Sequence, residues 1–359
     1  MKKINNFITS KQMFAMLFIS QILLYLTYNP LTHFSYDIWD HIVAALVSPF
    51  ATLILILPVY ILHKKDPSSS VVKKLKLNLK TFGFFLAFIY IVYYLFACCF
   101  SLCVFNIFIS NVMSPKNSLW IISICVGFAS WYAASKGIES LARASSIILF
   151  LLLTSIIFMF CSLILKIDFL NYMPPMYKGA ENAVSGMYAL VSQNFCIAAI
   201  GGIFPFVKNN VKKSLVSWVL LSHVFLILII ILVVGSLGDY LKTQMFPVYT
   251  AATVAQIGAL QKLDSIFLAL WTTSLFCKIS MFSFLISNAF KELLGKKAAK
   301  ILLAISTLFV ITISTVFSCN SELLKIIFNP SFGIVFTLVV TLLIPGILII
   351  RIRNKQPTK

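Results

Sequence analysis

Residues 215–237 read LVSWVLLSHVFLILIIILVVGSL, a run of apolar side chains without a charged residue. A helix needs about 20 mostly apolar residues to cross the hydrocarbon core of a bilayer, so this segment predicts a transmembrane helix. Similar runs recur along the chain of 359 residues, of which 60% are hydrophobic and 11% charged. A soluble domain carries about twice that charged fraction. The composition therefore excludes a soluble enzyme and indicates an integral membrane protein.

Nine other segments share this apolar character, and together they predict ten spans, numbered one to ten along the chain. The spans cover about 13–32, 40–62, 82–112, 119–134, 143–165, 184–206, 215–237, 264–289, 300–318 and 332–350. Most of the 29 Lys and Arg residues fall in alternate connections and in both tails. Because basic residues mark cytoplasmic loops, this alternation places both termini in the cytoplasm. We expect one all-α membrane domain over residues 1–359.

Ten spans divide into two sets of five, and the second set then enters the membrane in the opposite sense to the first. Such inverted repeats build many secondary transporters, which bind a ligand at the midplane between discontinuous helices. Spans one and six are the equivalent members of the two sets. The arithmetic permits a five-plus-five repeat and directs attention to these two spans.

Span six contains SQNFCIAAIGGIFPF (192–206), in which Gly201, Gly202 and Pro205 fall close together. Glycine has no side chain and proline lacks a backbone donor, so helical hydrogen bonding is weakest here. An unwound turn would expose N–H and C=O groups to the carboxylate and amine of a small zwitterion. The alternative is close helix packing through small residues, which Ala198 and Ala199 would also serve.

Span one contains QILLYLTYNPLTHF (21–34) and offers polar groups at a comparable depth. Thr27, Asn29 and Pro30 could contribute to a ligand pocket, and Tyr25 and Tyr28 could frame it. The alternative is that the tyrosines form part of an aromatic belt at the outer membrane face. Tyr25 lies about one turn deeper than Tyr28 and is the better pocket residue.

Lys278 is the basic residue that falls well inside a span, in LALWTTSLFCKISMFSF (268–284). A charge near the bilayer centre is costly and usually is paired or lines a wet cavity. Lys278 could be a fixed cation in the place of a coupling ion, or a proton carrier. It could also extend its side chain to the cytoplasmic surface. The neighbouring Thr272, Thr273 and Ser274 could line the same cavity.

Other chemistry is sparse in the sequence. The eight cysteines show no zinc-ligand spacing, so neither a metal site nor a cofactor is predicted. No basic stripe with interleaved aromatic residues lies outside the spans, so no nucleic-acid partner is predicted. Asp37, Asp40 and His41 form the one candidate acid–base cluster, and we interpret them as charges of a short outer loop. The predicted ligand-binding residues are Tyr25, Thr27, Ala199, Gly201, Gly202, Thr273 and Lys278.

Three segments resemble the spore germination permease family, the B subunits of nutrient germinant receptors. ITSKQMF (8–14) is similar to the family's opening, and KGIESLARASSIILF (136–150) to the stretch that leads into its fifth helix. The most specific likeness lies in GSLGDYLKTQMFPVYTAATVAQIGALQKLDSIFLALW (235–271), which holds Phe246-Pro247, the Lys262–Ser265 run and Trp271. The chain departs from the family at the glycines of span one and at the Gly and Glu of span six, where it has Ile197 and Ala199.

The resemblance implies the LeuT-like, five-plus-five fold of the amino acid–polyamine–cation transporter superfamily. It also implies residence in the inner membrane of a spore and assembly with an A-type membrane subunit and a C-type lipoprotein subunit. The implied activity is sensing of a small nutrient, often an amino acid, in the midplane pocket. A proton-coupled amino acid permease is the alternative function.

Overall fold

The computed structural model describes residues 7–27, 38–113, 118–173, 181–255 and 263–355, and most of them are helical. The longer helices are α1 (Ser10–Thr27), α2 (Ile38–Lys65), α3 (Val71–Phe108), α4 (Leu119–Ser135), α5 (Ile138–Leu163), α6 (Glu181–Ser192), α7 (Cys196–Ile203), α8 (Val211–Leu237), α9 (Pro247–Val254), α10 (Leu263–Leu294), α11 (Lys296–Ser318), α12 (Ser321–Ile327), α13 (Pro330–Leu338) and α14 (Ile344–Lys355). Short 3-10 turns follow α5, α7 and α8.

Eight helical segments of the described chain are long and apolar enough to cross a membrane. They are Ile38–Lys65, Val71–Val112, Ile138–Lys166, Asn182–Phe206, Val211–Thr243, Asp264–Leu294, Lys296–Ser318 and Ser321–Arg353. Helix α4 is apolar but shorter. The protein is therefore a multi-pass membrane protein. Within the described residues each predicted span falls mostly on helical structure, whereas the total of ten crossings and the cytoplasmic termini stay predictions.

Helix α10 lies at the centre of the bundle, because it contacts α1, α3, α4, α5 and α11. Its buried side chains include Trp271, Leu275 and Phe282. Trp271 stacks on Phe105 of α3, with 5.8 Å between the ring centroids. The long apolar helices α3 and α10 thus form the scaffold on which the other helices pack.

Helix α3 begins earlier than its predicted span and changes direction at Lys80. Ser70 caps its first turn by accepting a hydrogen bond from the N–H of Lys73. Lys80 has φ 47° and ψ −122°, a backbone conformation that residues other than glycine rarely adopt. Gly83 lies against the first segment, and a Cβ there would fall 2.0 Å from the carbonyl oxygen of Leu75. The connection at 63–81, between the second and third predicted spans, is therefore helical from Val71 onward except at the bend at Lys80.

Two tyrosines of α3 stabilise the irregular turn between α13 and α14. Residues Val339–Leu343 form a π-helical turn, in which backbone groups lose their regular partners. The Tyr90 hydroxyl donates a 2.6 Å hydrogen bond to the carbonyl of Val340. The Tyr93 hydroxyl lies 3.0 Å from Oγ1 of Thr337. Helix α3 thereby makes hydrogen bonds both to the turn and to Thr337, which lies two residues before it.

A short parallel strand pair joins the beginning of α1 to the segment after α7. Strand β1 (Ile8–Thr9) pairs with β2 (Val207–Lys208), and Ile8 lies opposite Val207. The ammonium of Lys208 also lies 4.8 Å from the ring centroid of Phe7. We call this end of the bundle, which also holds Lys73 and Lys291, the basic end.

Substitution of Gly83 tests the bend in α3. We expect Gly83→Ala to lower the free energy of unfolding by about 3 kcal/mol, because the new Cβ meets backbone atoms that have little room to move. Gly346→Ala is the matched control, since a Cβ there would have no atom within 4 Å and alanine favours the helix by about 1 kcal/mol. Unfolding of the purified protein in detergent measures both. Equal effects of the two substitutions would contradict the close approach at Gly83.

Candidate ligand site at the break in span six

The polypeptide leaves the helical path in span six at residues 193–195, between α6 and α7. The N–H of Phe195 bonds to the carbonyl of Gln193 at 3.0 Å, so the chain turns tightly here. Asn194 is 3% exposed, and its Oδ1 makes no hydrogen bond within the described residues. A buried acceptor without a partner is costly, and it is suited to a donor from a ligand or a water molecule.

The break is not at the glycines, where the sequence had predicted it. Gly201 and Gly202 both lie inside α7, and both are in contact with neighbouring helices. A Cβ on Gly201 would be 2.8 Å from Val71, and one on Gly202 would be 2.7 Å from Leu285. The glycines therefore serve the close packing that was the alternative interpretation. Ala199 is fully buried in the same helix.

Lys278 of α10 is 2% exposed and stays inside the bundle. Its ammonium lies 5.7 Å from the ring centroid of Phe195, at the break in span six. This distance permits a cation–π interaction. Among the described residues no carboxylate pairs with Lys278, because the three ion pairs found there involve other residues. The side chain does not extend to the membrane surface.

Tyr25 of α1 belongs to a polar cluster with Gln21 and His223. Its hydroxyl accepts a hydrogen bond from Nε2 of Gln21 and lies 3.4 Å from Nε2 of His223. Nδ1 of His223 is 2.7 Å from the carbonyl of Val219 in its own helix. Oε1 of Gln21 is buried and makes no hydrogen bond within the described chain. Tyr25 is therefore a core residue and not part of an interfacial belt.

Cys196 brings these groups into one neighbourhood. It is the first residue of α7, and its thiol interacts electrostatically with Tyr25 of α1 and Lys278 of α10. Ser20 of α1 also contacts its thiol. Sequence analysis missed Gln21, Asn194 and the role of Cys196. The run Ser192-Gln193-Asn194, polar inside an apolar span, was the signal that could have indicated the break.

A cavity of about 710 Å³, which we call the vestibule, opens at the end of the bundle opposite the basic end. Thr27 and Leu24 of α1 line it, together with Gln193 at the break and Phe100 of α3. The ring of Phe100 is 5.2 Å from that of Phe195. Pockets for small ligands have volumes of about 300–1,000 Å³. The vestibule thus has the size of a ligand pocket and reaches the break.

Two other predicted groups lie elsewhere. Thr273 is on an exposed face of α10, and its hydroxyl donates to carbonyls of its own helix. Asp40 and His41 are 1% and 4% exposed in the first turn of α2, so the interpretation of these two as loop charges is wrong. His41 and Tyr25 line a second cavity of about 30 Å³. Asp37 lies outside the described residues.

The sequence profile of a family described as "Spore germination protein" matches residues 7–322. The chain belongs to the spore germination protein family. No curated protein sequence matches this germination protein. Its structure is similar to that of a Na⁺-coupled sialic acid symporter in a substrate-bound outward-open state, with a TM-score of 0.65 and 11% sequence identity. The match covers 94% of this chain and 80% of the symporter chain.

The structural likeness establishes a transporter-like fold for this germination protein. The family is one of germination proteins, and the fold is shared with a membrane transporter. Together they support a role as a germinant receptor or as a permease.

Lys74 and Lys278, the two buried lysines among the described residues of this germination protein, are expected to respond oppositely to replacement by methionine. Lys74 is 4% exposed, and its ammonium donates to the carbonyls of Leu62 and Asp66 at 2.8 and 2.7 Å. We expect Lys74→Met to lower the free energy of unfolding by about 3 kcal/mol, because those hydrogen bonds are lost. Lys278→Met should raise it by roughly 2 kcal/mol, because a buried charge without a counter-charge is removed.

Unfolding of the purified variants in detergent measures both effects. Loss of stability in Lys278→Met comparable to that in Lys74→Met would show that the Lys278 ammonium stabilises the ligand-free fold.

Proposed function

We propose that this protein is the ligand-binding membrane subunit of a spore germinant receptor. A small nutrient, in the first instance an amino acid, enters the vestibule and binds at the break in span six. Binding shifts the bundle between conformations, and an A-type membrane subunit and a C-type lipoprotein subunit in the inner membrane of the spore respond to that shift.

The observation that carries the proposal is the meeting of the vestibule with the break. Gln193 lines the vestibule, and the adjoining Asn194 offers a buried acceptor. Lys278 lies over the ring of Phe195, with its ammonium 5.7 Å from the ring centroid, and offers a buried cation. The two charged groups of a zwitterion match these two side chains. Its ammonium can donate to Asn194, and its carboxylate can bind Lys278. Movement of the Phe195 ring would connect Lys278 with the vestibule.

The other predicted binding residues have different relations to this site. Tyr25 interacts electrostatically with Cys196 and would border the bound ligand, whereas Thr27 lines the vestibule. Ala199, Gly201 and Gly202 would act through the position of α7, because substitutions there would displace its first turn. Thr273 lies on the exposed face of α10 and serves as a control.

A proton-coupled amino acid permease is the second candidate. The likeness to a symporter supports it, as does the burial of Lys278, which could carry a proton between two conformations. A permease would accumulate the solute, whereas a receptor subunit would trigger germination without sustained uptake. Uptake of radiolabelled amino acids by cells that express the protein distinguishes the two.

Germination of spores tests the proposal directly. In a strain without its other germinant receptors, we expect restoration of this gene with its partner genes to restore the response to one class of nutrient. The panel consists of single amino acids, sugars and salts. Failure to restore any response, together with uptake of a labelled amino acid, would favour the permease.

The site itself is tested by Lys278→Met in the restored strain. We expect the nutrient concentration for half-maximal germination to rise about 10- to 100-fold, because a charge-assisted hydrogen bond to the ligand is lost. Thr273→Val, on the exposed face of the same helix, should leave it unchanged. An unchanged response in Lys278→Met would remove Lys278 from the binding site.

A further inference from the structure

At the basic end, a carboxylate joins two parts of the bundle that are distant in sequence. Glu292, near the end of α10, accepts a hydrogen bond from the hydroxyl of Ser70, which precedes α3. Its other oxygen accepts a 3.1 Å hydrogen bond from Nδ2 of Asn288. Both oxygens of a partly buried carboxylate are thereby occupied. Hydrogen bonds of this charge-assisted type are about twice as strong as neutral ones.

The segment around Ser70 is held to α2 as well. Lys74 donates to the carbonyls of Leu62 and Asp66, at the end of α2. Burial acts to raise the pKa of Asp66, but hydrogen bonds from Ser68 and Ser69 and the nearby Lys74 hold that pKa below its usual value. These contacts make the end of α2, the connection and the start of α3 a single unit. The Glu292 carboxylate attaches this unit to α10.

Lys76 adds a second attachment beside the carboxylate. Its ammonium donates to the carbonyls of Glu292 and Leu293 at 3.1 and 2.9 Å, where α10 ends. Cations at a helix carboxyl end are favourable, because unpaired carbonyls carry partial negative charge. The hydrogen bond between Ser70 and Glu292 joins two side chains. A single substitution can therefore remove it without changing the contacts of Lys76 with the backbone.

A cavity of about 330 Å³ lies next to Glu292. It separates the unit of α2 and α3 from a second unit, which α1 and α7 form through the paired strands β1 and β2. Phe7 and Phe206 line its other side, and they flank the strands β1 and β2 that join α1 to α7. Between this cavity and the break, α7 packs closely on its neighbours. Gly202 lies against Leu285, and the Tyr94 hydroxyl donates to the carbonyl of Ala198 at 3.3 Å. The break is therefore open toward the vestibule and closed toward the basic end.

We propose that the hydrogen bond between Ser70 and Glu292 is a latch that keeps the basic end closed. While it is made, α2, α3 and α10 stay together and enclose α7. When it breaks, the end of α2 and the start of α3 can move away from α10, α7 is no longer enclosed, and the 330 Å³ cavity extends to the break. The latch goes beyond ligand sensing, because it sets the balance between two conformations whether or not a nutrient is bound.

The variant Ser70→Asp tests the latch without removing the helix cap. Aspartate is a good N-cap residue, so it can still accept from the N–H of Lys73. It removes the hydroxyl that donates to Glu292 and places a second acidic group against that side chain. Opening exposes Cys196, which is buried at the break in this conformation.

Reaction of Cys196 with a membrane-impermeant methanethiosulfonate measures the opening. The reagent is added in sealed vesicles to the side that carries the basic end, and mass spectrometry quantifies modification of this one residue. We expect Ser70→Asp to raise the rate about tenfold, as loss of one charge-assisted hydrogen bond implies. Ser118→Asp is the matched control, because Ser118 caps α4 without a side-chain hydrogen bond.

Addition of Glu292→Gln to Ser70→Asp distinguishes opening from misfolding. The amide can donate to the introduced carboxylate, so the rate at Cys196 should return toward that of the original protein. An unchanged rate in Ser70→Asp, or an increase that Glu292→Gln does not reverse, would overturn the latch. The assay contains no nutrient, so its failure would leave the proposed receptor function standing.

Discussion

A helix that is interrupted within a membrane leaves peptide groups without partners, and lipid cannot replace them. This constraint explains why the break at 193–195 lies in the centre of the bundle and not at its lipid face. The Tyr94 hydroxyl donates to a carbonyl of α7, and Tyr90 does the same for the π-helical turn near Val340. Helix α3 supplies both donors. Helix α3 thus hydrogen-bonds both to the helix that follows the break and to the π-helical turn.

The same constraint separates the two buried lysines. Lys74 has backbone acceptors at the end of α2, so its charge contributes to the architecture. Lys278 has the face of an aromatic ring near its ammonium and no carboxylate paired with it among the described residues. A buried cation without a counter-charge contributes less to the fold than its burial costs. Its position at the break is the reason to assign it a functional role.

The sequence predicted the helices well, because a membrane crossing requires about 20 apolar residues whatever the neighbouring helices are. It predicted the break too late in span six, because glycine serves both unwinding and close packing. Gly201 and Gly202 pack against Val71 and Leu285, which are distant in sequence. Those contacts cannot be derived from one chain without its fold.

The candidate site was predicted in part. Tyr25 and Lys278 both interact electrostatically with Cys196, whereas their place in one ligand pocket stays a prediction. Thr273 could have been separated from Lys278 in advance, because five residues of helix turn by about 140° beyond one full turn. The Ser70–Glu292 contact joins positions that are 222 residues apart, and no local pattern indicates it.

The π-helical turn at Val339–Leu343 has a consequence for the ancestry of the chain. Such a turn accommodates one extra residue in a helix without changing either flank. If that residue were lost, the π-turn would become regular α-helix, and α13 and α14, with Arg351 and Arg353, would keep their orientations. The hydroxyl of Tyr90 would then lose its acceptor. A helix with the extra residue and a helix without it can therefore share the same flanks, and the difference between them falls on the partner of Tyr90.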